Sequence, residues 1–128
     1  MTGEPNGPGY LPDSAPVVRG GSDTGTKSNP GGNSPEGIAK NTGTVPPNYS
    51  GAGLTGFSAN SAPGTTAAQI GAQVKQSSYG ATTAGSIRSV GGDPVPTPRP
   101  NNPTHITVTG LPPKTASHLF TPTVKKNP

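Results

Sequence analysis

Hydrophobic positions along this chain come singly or in pairs, and only two stretches give them a period. The first lies in residues 64–93, where proline is absent until Pro94. Thr66 stands three residues before Gln69, the spacing of a capping box in which side chain and backbone cap each other. Ala67, Ile70, Val74 and Ser78 then fall on one face at helical spacing, and Gly80 offers a stop. The pattern predicts a helix over residues 66–79, the only one longer than two turns, with Ile70 and Val74 turned toward a partner. The second stretch is Thr104–Thr109, where Ile106 and Val108 alternate with Thr and His between Pro103 and Gly110. Period-two alternation predicts a strand over 104–109. No other segment reads as its mate, so its hydrogen bonds are expected from another chain, by edge addition.

The flanking regions have no period. Residues 1–63 read as a Gly/Pro/Asn-rich extended arm, with Asn6-Gly7, Pro8-Gly9 and Pro30-Gly31-Gly32 as turn signals. Residues 64–93 form the proline-free segment with its short amphipathic helix. Residues 94–128 form a proline-rich basic tail opening on Pro94-Val-Pro-Thr-Pro-Arg-Pro100, which favours extended polyproline-like backbone.

Composition sharpens this picture. Leu, Ile, Val and Phe make up 18 of 128 residues, while Gly and Pro number 20 and 18. The first count is below what a globular chain normally carries, and the second reaches the range of low-complexity sequence. Glycines also have the most freedom to lose on folding. The fold class expected is therefore mostly irregular and extended, with no independent hydrophobic core. One short helix and at most one or two short strands would be ordered by partners. Apolar residues never run long enough for a membrane span.

Charge follows the same boundary. Residues 1–93 hold five acids and five bases, whereas 94–128 hold Arg99, Lys114, Lys125 and Lys126 with no acid, so the net +4 sits in the tail. Single charges spaced by prolines are sparser than a typical nucleic-acid arm, so contact with nucleic acid is expected to be weak.

Candidate chemistry is thin. Without cysteine there is no thiolate nucleophile or cysteine-ligated metal. His105 and His118 lack a third ligand nearby, and the five acids stand singly. The sequence thus predicts no enzyme, cofactor or metal site. What it offers is a series of apolar anchors for partners: Tyr10, Leu11, Val17, Val18, Tyr49, Leu54, Phe57, Ile70, Val74, Tyr79, Ile106, Val108, Leu119 and Phe120. That spread suits an accessory structural protein of a large assembly. The expectation is a virion cement protein, such as a bacteriophage minor capsid protein, lying across several shell subunits. The rival expectation is a disordered interaction protein whose basic tail binds nucleic acid or a peptide-binding domain.

Overall fold

A computed structural model describes residues 10–26, 28–45 and 54–126 and overturns the extended, coreless expectation. The chain builds an antiparallel sheet from β1 (Pro16–Gly20), β2 (Gly43–Val45), β3 (Leu54–Ser61), β4 (Ser78–Thr83), β5 (Asp93–Pro96), β6 (His105–Thr109) and β7 (Val124–Lys125). Among the described residues four short helices accompany it: α1 (Pro35–Asn41), α2 (Ala67–Gly71), α3 (Ala84–Ser89) and α4 (Pro113–Leu119). The sheet runs β5-β6-β3-β1-β4-β7, with β2 joined to β3. Strands from all three sequence regions are thus woven into one sheet.

The strand expected over 104–109 is there as β6, but its partners belong to the same chain. Phe57 pairs with Val108 and Ala59 with Ile106 on one side, and Val95 with Thr107 on the other. Both mates were hidden by their composition. β3 reads Leu-Thr-Gly-Phe-Ser-Ala-Asn-Ser, poor in strand formers, and is made a strand by cross-strand packing rather than propensity. β5 carries Pro94 and Pro96, which only an edge strand tolerates, and it lies at the sheet's edge.

The helix expected over 66–79 is corrected as well. Its start is as read: Thr66 Oγ1 accepts from Gln69 N at 3.1 Å, and Thr66 N donates to Gln69 Oε1 at 2.9 Å. The helix then ends at Gly71, and Ser78–Thr83 is strand β4, paired with β1 from Pro16↔Thr83 to Gly20↔Tyr79. A lone helix of that length is marginal, and a five-residue ladder with β1 outcompetes it. The longest helices among the described residues are α1 and α4, seven residues each.

A core does form, from fewer large side chains than usual. Leu11, Val17, Ile38, Phe57, Ile87, Ile106, Val108 and Phe120 are all buried in it, interleaved with Ala15, Ala59, Ala84 and Ala116. The Phe57 and Phe120 rings meet edge to face at 6.0 Å. Small residues make the close approaches: a Cβ on Gly80 would run into the main-chain carbonyl of Phe120. Helices α1, α3 and α4 supply Ile38, Ile87 and Ala116 to this core. On the opposite face α2 lies against β1 and β4, with Gly71 against the Tyr79 ring.

Buried polar groups lock the layers together. Asn33, fully buried, donates from Nδ2 to the carbonyls of Arg19 (2.9 Å) and Gly21 (2.8 Å), and its own carbonyl accepts from Ser117 Oγ at 2.6 Å. The Asn33 side chain thereby ties the end of β1 to the start of α1, and its main-chain carbonyl ties both to α4 through Ser117. Among the described residues no helix is long and apolar enough to cross a membrane.

Candidate basic groove at the centre of the sheet

The groove arises where β1 parts from β3. β1 pairs with β3 only at Val17↔Ser61 and Val18↔Asn60, and β2 takes up the same edge at Gly56. Between them, Phe57–Ala59 have no strand partner on that edge among the described residues. The Arg19 side chain fills the break. Its Nη1 donates to the Ser58 carbonyl at 2.6 Å and its Nε to the Gly32 carbonyl at 3.1 Å, while the guanidinium lies 5.1 Å from the Phe57 ring centre.

This arginine is only 7% exposed, and no carboxylate meets it among the described residues. Burial pushes its pKa down to about 10, still far above neutrality, so it remains a cation. It borders a groove of about 760 Å³ floored by Ser58–Asn60. Arg99 and Lys75 add two further cations to the walls, and amides such as Asn60, Gln69 and Gln73 line the rest. Among the described residues no acidic side chain lines it.

Beside the floor lies a polar chain running through the sheet. His105, on β6, is 4% exposed. Its Nδ1 lies 3.0 Å from the Thr97 carbonyl oxygen and 2.8 Å from Thr97 Oγ1, which in turn meets Thr107 Oγ1 at 2.9 Å. Its Nε2 lies 3.0 Å from Ser58 Oγ. A carbonyl can only accept, so Nδ1 bears the proton toward Thr97, and Nε2 is left to accept from Ser58. Burial first, and the Arg99 charge second, hold the His105 pKa below its ordinary value, against a smaller opposing effect of the Thr97 backbone bond. The ring is neutral at pH 7.

Few of the sequence-predicted residues come together here. Ile70 and Val74 line the groove wall, and Arg99 reaches it from the β5–β6 loop. The remaining basic-tail residues disperse: Lys114 sits exposed on α4, Lys125 exposed on β7, and Lys126 Nζ donates to the Val74 carbonyl. Leu11, Val17, Phe57, Ile106, Val108 and Phe120 are placed in the chain's own core, with Leu119 packed against it. Val18 is fully buried, while Leu54 and Tyr79 are half-buried. Tyr10 is half-buried with Arg88 4.1 Å above its ring. Tyr49, Asn6-Gly7 and Pro8-Gly9 lie outside the described residues.

Arg19, Ser58 and Lys75 were missed, and His105 passed as a plain histidine. Ser58 and His105 are 47 residues apart and meet only through the β3–β6 register, which composition does not encode. The one signal available was Arg19 itself, a lone cation directly after the apolar pair Val17-Val18. Among the described residues no group of three His, Asp or Glu side chains gathers as a metal site would need. No protein-family model, curated protein or solved structure matches this chain.

Proposed function

We propose that this chain binds a phosphate-bearing ligand of about nucleotide size in the groove beside Arg19. The observation that carries this reading is the arginine: among the described residues it is a buried cation with no carboxylate partner, bordering a groove that no acidic side chain lines. Taking a charge out of water without an opposite charge is costly, and an anion in the groove would offset that cost. Phosphate suits the guanidinium because it accepts paired, charge-assisted hydrogen bonds. Arg99 and Lys75 supply further positive charge, and the wall amides can donate to or accept from a base or sugar. A volume of about 760 Å³ falls within the roughly 300–1,000 Å³ of small-ligand sites.

A nucleic-acid strand along the basic tail is a weaker reading. Lys114, Lys125 and Arg99 belong to separate elements, and Lys126 is engaged with Val74. The cement-protein reading drew on a chain without a core; the folded sheet removes that premise, and nothing here supports a virion. Thermal unfolding with pyrophosphate, at ionic strength matched with chloride, tests the proposal. A saturable rise in the midpoint, absent from Arg19→Met, is expected. Equal midpoints in the two salts would refute it.

A further inference from the structure

We infer that Ser58 is a nucleophile, activated by His105 and directed at a phosphoryl group of the ligand held in the groove. The inference rests on the phosphate-ligand reading above and goes beyond it, turning the ligand into a substrate.

Three features of geometry carry it. First, Ser58 Oγ is 3.0 Å from His105 Nε2, within reach for direct proton transfer, and the opposite ring nitrogen is tied to the Thr97 carbonyl. A serine, a base and a third group that orients the base is the arrangement by which a weak hydroxyl becomes a nucleophile. Second, the two partners differ in access. Ser58 is exposed in the groove floor, whereas His105 is buried and held between Thr97 and Ser58, so the base is rigid and the hydroxyl is reachable. Third, two cations border the groove whose floor holds the serine. Arg19 is bonded to the Ser58 main-chain carbonyl, and Arg99 lines the same groove, so charge developing on phosphoryl oxygens would meet fixed positive groups.

The step balances without any other reagent than water. Ser58 Oγ forms a bond to phosphorus as the bond from phosphorus to the departing oxygen breaks. The Ser58 proton moves to His105 Nε2 and from there to the departing oxygen. Water then attacks the phosphoserine, giving its proton to Nε2. The Oγ–phosphorus bond breaks, and Nε2 returns the proton to Oγ. Nδ1 keeps its own proton on Thr97 throughout. The substrate class is a phosphate ester or anhydride.

A fluorophosphonate tests the nucleophile directly, since it phosphonylates an activated serine with loss of fluoride. The intact chain is incubated with the probe, with and without pyrophosphate, and the labelled residue is located by peptide mass. The structure predicts a single adduct at Ser58, slowed about 100-fold or more in His105→Gln, the scale of general-base catalysis, and slowed by pyrophosphate. No label is expected in Ser58→Ala. Absence of an adduct in the wild-type chain, spread of the label over other serines, or an unchanged rate in His105→Gln would overturn the inference. Mapping the wild-type adduct needs no variant, so a misfolded mutant does not spoil the test. Labelling of Ser58 that pyrophosphate leaves untouched would overturn the phosphate assignment of the groove while leaving Ser58 activated.

Discussion

Arg19 Nη1 donates to the Ser58 carbonyl at 2.6 Å, taking the place of the strand neighbour that β3 lacks between β1 and β2. One side chain thus completes the sheet and charges the groove. Arg19→Met keeps the apolar stem over Phe57 but removes both donors. Loss of the bonds to Ser58 and Gly32 is expected to lower stability by about 1–3 kcal/mol, as for a buried acceptor left unsatisfied. Denaturant titration measures this. An unchanged midpoint would show that the break in the sheet needs no donor.

Asn33 holds the same corner from behind, through its bonds to Arg19 and Gly21. Asn33→Ala is expected to cost about 1–3 kcal/mol, by removing the side-chain donor shared by these two carbonyls. It should also weaken pyrophosphate binding, because the end of β1 positions Arg19. Stability and binding falling together is the predicted result; a variant with wild-type binding would separate the corner from the groove.

The core makes a sharper demand. Phe120→Ala should destabilise by about 3–5 kcal/mol, since the ring is fully buried against Phe57. Gly80→Ala should cost on the order of 1–3 kcal/mol, because its Cβ meets the Phe120 backbone. By contrast, Val124→Ser, on an exposed position of β7, should change stability by less than about 0.5 kcal/mol. A loss at Val124 as large as that at Phe120 would mean that burial in this core does not set what an apolar side chain contributes.

Those contrasts show what was legible in the sequence. The Thr66–Gln69 cap and the Ile106/Val108 alternation are local, and both were readable. The core was not, because counting large side chains treats Gly80, Ala59 and Ala84 as empty, whereas here they let backbone and rings approach closely. β3 was invisible for the same reason. Its strand character comes from Phe57↔Val108 and Ala59↔Ile106, pairs set by tertiary register. Of the site, only Arg99, Ile70 and Val74 were legible. Arg19 and Ser58 acquire meaning through contacts across 39 residues, and Ser58 and His105 across 47.

His105 gives the fold a pH signature. Its pKa in the folded chain lies below the unfolded value of 6.5, so the unfolded state binds the proton first as pH falls. The contribution of the neutral ring is present in full above about 6.5 and is lost as pH falls below it toward the folded pKa. Stability measured from pH 7.5 to 5 should therefore decline, and His105→Gln should flatten that slope. An identical slope in the variant would assign the decline to other groups.

The most direct test of the groove is a proton–nitrogen NMR titration of the full chain with pyrophosphate, following the Arg19 side-chain Nε–H. That hydrogen is fixed on the Gly32 carbonyl, so it should give a distinct resonance. The account predicts a saturating shift of this signal together with the amides of Ser58, Asn60 and Arg99, while Ala84–Ser89 of α3 stays unmoved. No shift at Arg19, or shifts confined to Lys114, Lys125 and Lys126, would contradict it.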